Sequence, residues 1–339
     1  MREKIKNYSV CSENFWYGRI DDPEDRESFR MHQVIKPLDL NNIRNHKKFT
    51  GTTNFCLLGF KSDEGVRRNL GRTGASKGPE MIKREFANMP VTFGIDVNIY
   101  DGGDIICKNG DLEYAQEQLA SAVKLLLGKN LFPVILGGGH SVALGNYNGI
   151  KEHLYETGSK KNIPGIINFD AHLDFRPFDK GGSSGSMFYQ IADKNKTENQ
   201  EFRYLCIGAQ TYSNTISLFK RTESYGGEYI LAKDILGDDQ IKTEGKVDEF
   251  VLKNEHIHLT LCCDVFNSAF APGVSAPQPF GLDPEIVLTL IKQILRSGRV
   301  VSFDIAEVSP RFDHDNITAK LAAVIIYAVL NTMIDKYQH

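Results

Sequence analysis

The sequence is best bounded first by what it lacks. Its six cysteines, Cys11, Cys56, Cys107, Cys206, Cys262 and Cys263, form no Cys-x-x-Cys pair, which argues against zinc-ribbon and thioredoxin-type redox motifs. Four of them sit in apolar, strand-like runs and read as buried, reduced thiols, the neighbours Cys262 and Cys263 as strand packing. Neither sign of charge is in excess: 40 Lys and Arg stand against 43 Asp and Glu, a net charge of −3. Bulk electrostatics therefore draw the chain neither to nucleic acid nor to an anionic membrane. No apolar run reads as long enough for a membrane span. Met1 to Asn7 is polar and lacks the apolar core of a signal peptide. A cytoplasmic location follows as an expectation, with no nucleic-acid or membrane partner and with a homo-oligomer allowed for. There is no internal repeat and no low-complexity linker.

What is present is ordinary globular composition over 339 residues, 41% hydrophobic and 24% charged. Residues 1–50 are polar and irregular, hold the only tryptophan, Trp16, and read as an extension packed on the main domain. From about residue 51 to 339, apolar runs alternate with amphipathic ones. Strands are expected at 55–60, 97–100, 132–136, 163–170, 204–208, 229–231, 256–264 and 299–305. Helices are expected from Gly78-Pro79-Glu80, with proline at a favoured first-turn position, from a cap at Asp111 to Leu127, from about Ser141, from Asp283 to about Ser297, and over 317–335. Such alternation predicts a single three-layer α/β/α domain with a central, mainly parallel sheet. A site is then expected along the carboxyl ends of its strands.

The stretch Asn168-Phe169-Asp170-Ala171-His172-Leu173-Asp174 follows a buried apolar run. Period 2 puts Asp170, His172 and Asp174 on one side of an extended backbone. Full extension would separate Asp170 from Asp174 by roughly 13 Å, whereas metal–oxygen and metal–nitrogen bonds are about 2.0–2.2 Å. The strand is therefore expected to end near Asp170, and the chain to curl round a site. Two carboxylates and an imidazole suit a hard or borderline divalent cation such as Mn²⁺. Two more strand ends carry similar chemistry. Leu136-Gly137-Gly138-Gly139-His140-Ser141 delivers His140 at a tight turn into a helix, and Leu261-Cys262-Cys263-Asp264 closes on a carboxylate.

Gly138-Gly139-His140-Ser141, Asp170-Ala171-His172-Leu173-Asp174 and Ser302-Phe303-Asp304-Ile305-Ala306-Glu307-Val308 resemble the signatures of the arginase–agmatinase–formimidoylglutamase (ureohydrolase) family. The resemblance covers most of residues 50–335. Within the family, the marks of formimidoylglutamase are Arg67 to Ala75, a third glycine before His140, Arg176, Ser183-Ser184-Gly185, and Ala271 to Pro277. The resemblance implies hydrolysis of a C–N bond in a guanidine or amidine at a binuclear Mn²⁺ site. Carried over by position, one ion would take His140, Asp170, Asp174 and Asp264, the other Asp170, His172 and Asp264. Asp170 and Asp264 would bridge them, and Glu307 would hold the planar cationic group of the substrate.

One departure is plain. The family reads Asp-x-Asp after this last strand, and this chain reads Asp264-Val265-Phe266, with Asn267 next. Phenylalanine cannot ligate a metal, so the second position keeps one carboxylate fewer. At the other end of the substrate, Arg68, Arg72 and Arg176 suit carboxylates, with Asn69 and Ser184 beside them. The expected reaction is N-formimidoyl-L-glutamate plus water giving L-glutamate and formamide, in histidine degradation. The alternatives are hydrolysis of another guanidino or amidino compound, and a weak or silent metal-binding homologue.

Overall fold

The computed structural model describes residues 4–12, 14–43, 48–50, 53–158, 163–237 and 240–337. Among them ten strands form one sheet: β1 (Tyr8–Ser9), β2 (Lys36–Pro37), β3 (Thr53–Lys61), β4 (Val97–Ile106), β5 (Phe132–Gly137), β6 (Gly165–Phe169), β7 (Tyr204–Ala209), β8 (Glu228–Leu231), β9 (Ile257–Cys262) and β10 (Val300–Ala306). Their order is β1-β4-β3-β5-β10-β9-β6-β7-β8, with β2 also on β4. Every pairing is parallel except β1 with β4. Parallel strands need crossover connections, and helices supply them on both faces.

The helices begin where local chemistry dictates. Asp111 accepts from the Tyr114 amide and caps Leu112–Gly128. Asp283 accepts from the Glu285 amide ahead of Pro284–Arg296, whose proline occupies the first turn. The basic stretch after β3 opens with a short helix, Glu64–Arg68, closed by ion pairs from Arg67 and Arg68 back to Glu64.

The two faces of the sheet differ. On one, Leu57, Val134, Ile167, Phe169, Leu205, Leu259, Leu261, Phe303 and Ile305 belong to one large apolar core with the helices Pro284–Arg296 and Ile317–Tyr337. On the other, two apolar clusters flank a polar strip. One gathers around β3 and β5, the other around β6 and β7. The strip between them contains His258, Thr260, Ser302 and Asp304, all fully buried.

The N-terminal residues do more than cover the domain. They supply β1 and β2 at the β4 edge, and Trp16 enters the large core while its Nε1 donates to Asp101 at 3.0 Å. Irregular sequence hid both strands, because two-residue strands have no readable period. The stretch Ile317–Asp335 also departs from expectation. Its mean hydropathy of 1.8 makes it long and apolar enough to cross a membrane by composition, yet 61% of it is buried inside the fold. Its Ile325, Ile326, Val329 and Leu330 form part of the large core.

Candidate active site

Strand ends converge at the carboxyl edge of the sheet. β6 stops at Phe169, and the chain curls immediately, with Asp174 in the left-handed region at φ 53°. The curl brings two carboxylates to one nitrogen: His140 Nδ1 lies 2.9 Å from Asp170 Oδ2 and 3.1 Å from Asp174 Oδ2. On the other side, His172 Nδ1 is 3.4 Å from Asp170 Oδ1 and 3.1 Å from Asp264 Oδ2. Asp170 thus stands between the two imidazoles. It also accepts from the His172 amide at 2.8 Å, which locks the turn.

His140 reaches this point because Gly138 and Gly139 let backbones close in. A Cβ on Gly138 would run into the Ser62 carbonyl, and one on Gly139 into Val66. Glu307, just past β10, is also left-handed at φ 69°. Its Oε1 accepts from the His140 amide at 2.9 Å. Its Oε2 is buried without a partner, as is Asp264 Oδ1.

The crowding shows in the acidities. Burial works against the charged Asp170, but His140 and His172 outweigh it and hold this carboxyl well below the usual range. Burial, with Asp170 beside it, pushes Asp174 up to about 7 and raises Asp264. Burial pushes Glu307 up to about 8. Burial also disfavours the charged forms of both histidines, yet their carboxylate neighbours raise them well above the ordinary value. Buried carboxylates with unpartnered oxygens beside two imidazoles are a donor set that calls for cations. Among the described residues two groups have ligand atoms within 4.8 Å of one another: Asp170, His172 and Asp264, and His140, Asp170 and Cys262. Hard oxygen and imidazole donors fit divalent ions of the Mn²⁺ type.

A cavity of about 300 Å³ opens above these residues, lined among others by His140, His172, Asp174, Asp264 and Glu307. Asn69, Arg72, Arg176 and Ser184 share it. Arg176 is exposed at its rim, and among the described residues its guanidinium has no hydrogen-bond or ion-pair partner. Gly185 lets Asn69 and Arg176 approach each other, since a Cβ there would fall 2.7 Å from Asn69 Oδ1 and 2.9 Å from Arg176 Cδ. Arg72 is partly spent: Nε and Nη2 donate to the carbonyls of Ser275 and Val274 at 3.0 and 2.6 Å, and its plane lies over Phe312. Arg68 does not join the site. Its guanidinium donates to Glu64, Glu113 and the carbonyls of Gly110 and Gly182, so it braces the loop beneath.

Phe266 is fully buried in the large core. Asn267 does not take its place. The strand breaks into a 3₁₀ turn at Cys263–Val265, and Asn267 donates to the Pro279 carbonyl and accepts from the Ala269 amide. Cys263 packs in the core as expected, but Cys262 lines the cavity. Its alternation with Thr260 and His258 along β9 was the available signal. Asn214, which staples the curl by accepting from the Leu173 amide and donating to the Ala171 carbonyl, carries no sequence signal.

The arginase family model matches residues 53–331. A formimidoylglutamase of Clostridium tetani is 53% identical over 98% of this chain and 98% of its own length. One from a Geobacillus species is 42% identical over 95% and 96%. Among solved structures, Bacillus subtilis formimidoylglutamase superposes with a TM-score of 0.75 at 21% identity, covering 92% of this chain and 94% of that one. Trypanosoma cruzi formiminoglutamase with Mn²⁺ gives 0.72 at 24% identity over 83% and 94%. These two structural likenesses bear on the fold; the family rests on the sequence matches and on the motifs gathered at the strand ends. The chain belongs to the arginase family, on its formimidoylglutamase branch.

Proposed function

We propose that this chain hydrolyses N-formimidoyl-L-glutamate to L-glutamate and formamide, using Mn²⁺ held by His140, Asp170, His172, Asp174 and Asp264. The observation that carries the reading is Asp170, fully buried between two imidazoles and roofed by a cavity that also holds Glu307 and Arg176. When bound, the ions supply Lewis acidity and lower the pKa of the attacking water. The water oxygen bonds to the amidine carbon. The bond from that carbon to the glutamate nitrogen breaks. With the amidinium as substrate, both water protons pass to the departing nitrogen, which leaves as an ammonium. The carbon keeps the water oxygen and its other nitrogen as formamide.

The side chains orient this exchange. Glu307 has one oxygen held by the His140 amide and one without a partner, and a carboxylate so placed accepts N–H bonds from a planar cation. Arg176 would meet a substrate carboxylate with its open guanidinium, assisted by Asn69, Ser184 and the remaining donor nitrogen of Arg72. An arginine facing the pocket repels the ammonium of arginine and favours a second carboxylate. Because Phe266 contributes no ligand, the His172 position holds its ion more weakly than the His140 position.

The test is turnover of formimidoyl-glutamate, arginine and agmatine with added Mn²⁺, with formamide and glutamate measured. Formimidoyl-glutamate alone should be consumed. Efficient hydrolysis of arginine or agmatine would overturn the substrate, and no turnover of any amidine in a Mn²⁺-loaded chain would favour the second reading, a silent homologue that Phe266 has disabled.

A further inference from the structure

We infer that Thr260 and Asp304 are positioning residues that decide which ring nitrogen His140 presents to the site. The inference rests on the metal-dependent reading above. Sheet register pairs Thr260 with Asp304, and His258 with Ser302, across β9 and β10. Thr260 Oγ1 donates to Asp304 Oδ1 at 2.6 Å. A hydroxyl has one proton, so toward His140 Nε2, at 3.0 Å, the same oxygen can only accept. Nε2 therefore carries the ring proton. Nδ1, which faces Asp170 and Asp174, keeps its lone pair for a cation.

Asp304 holds the hydroxyl in this sense because it only accepts. Asn146 Nδ2 donates to its Oδ2 at 2.7 Å, and His258 Nε2 donates to the same oxygen. His258 Nδ1 is buried without a partner, so the proton of that ring belongs on Nε2, where it has an acceptor. Ser302 in turn orients Asn146 by donating to its Oδ1 at 2.9 Å. Every one of these side chains is fully buried. A buried carboxylate and imidazole cost desolvation that apolar packing would avoid, and the strip they form leads, through one hydroxyl, to His140. Among the described residues no such chain stands behind His172. Partners of this kind fix the tautomer of a ligating histidine, and losing them costs about 10–100-fold in metal affinity.

The experiment is Mn²⁺ binding by chelator competition, with metal-free thermal unfolding in parallel, on wild type, Thr260→Val and Thr260→Ser. Thr260→Val should weaken one Mn²⁺ site by about 10–100-fold, and Thr260→Ser should restore it to within a few fold while unfolding no later than the valine variant. Equal Mn²⁺ affinity in wild type and Thr260→Val overturns the inference alone; a wild-type chain that binds no Mn²⁺ overturns the metal-dependent reading with it. Should the valine variant fail to fold, ¹⁵N-histidine spectra of the wild type loaded with Zn²⁺ decide the matter. The His140 proton on Nε2 and the metal on Nδ1 are expected, and the opposite arrangement refutes the assignment.

Discussion

The His140 and His172 halves of the site are built from the same residue types but held differently. His140 is 1% exposed and gripped on both ring nitrogens, by Asp170 and Asp174 on one side and Thr260 on the other. The side chain of His172 is 23% exposed at the cavity and faces Asp170 and Asp264 through Nδ1. One half is a fixed cage. The other is an open seat. The difference teaches that two imidazoles sharing one carboxylate, Asp170, can differ sharply in burial and hydrogen-bond support.

The sharpest way to break the comparison is to remove what the halves share. Asp170→Asn should lose both ions on metal analysis. Metal ions supply several kcal/mol of transition-state stabilisation, so turnover should fall by about 10³-fold or more. A variant that retains either ion and most of its activity would show that Asp170 is not common to both.

Next come the halves separately. After gel filtration without added metal, elemental analysis of the wild type should give nearer one ion than two per chain. His172→Ala should leave that ion in place, and His140→Ala should remove it; the reverse order would exchange the two assignments. Replacing Phe266 with aspartate is a poor repair, because it removes a fully buried ring from the core, where loss of a phenylalanine costs about 3–5 kcal/mol.

The rim sharpens the contrast between arginines. A charge-assisted hydrogen bond is worth about 1.5–3 kcal/mol, so Arg176→Ala should lower kcat/KM by about 10- to 150-fold for each such bond lost, with metal content unchanged. Arg176→Lys should recover little, since an ammonium cannot make the planar two-point contact. Arg68→Ala, whose guanidinium is tied to Glu64 and Glu113, should keep kcat/KM within a few fold. Unchanged kcat/KM in Arg176→Ala would make that residue an ordinary surface arginine.

The smallest effect concerns the support behind His140. Burial pushes the Asp304 carboxyl up, but His258, Thr260 and Asn146 outweigh it and hold it below the ordinary value. A folded-state value below the unfolded one stabilises the fold above the unfolded value, about 3.9, and that stabilisation is lost as pH falls through the folded value. Melting temperature should therefore drop more steeply toward acid in wild type than in Asp304→Asn. Parallel acid profiles would show that Asp304 is not held ionised by its donors.

The sequence was readable where chemistry clusters along the chain. Asp170, His172 and Asp174 lie within five residues, and His140, Asp264 and Glu307 each follow an apolar strand, so the topology of a parallel sheet carries them to one edge. Arg68 misled because a basic residue beside a glycine-rich turn looks free until the fold ties it to Glu64 four residues back and to Glu113, 45 residues on. The hydroxyl relay was hidden for a related reason: Thr260 meets Asp304 only through the register of β9 on β10.

By itself, then, the sequence determined the alternation of strands and helices, and with it the parallel sheet and the edge at which the ligating residues emerge, because periodicity and strand ends are local properties. Tertiary structure decided what each of those residues is worth. It buried Phe266 and turned Asn267 away, committed Arg68 to Glu64 and Glu113, and set Thr260, backed by Asp304, behind His140. Those outcomes depend on which groups meet across 12 to 45 residues or more and on how much water is left between them, and no local pattern encodes either.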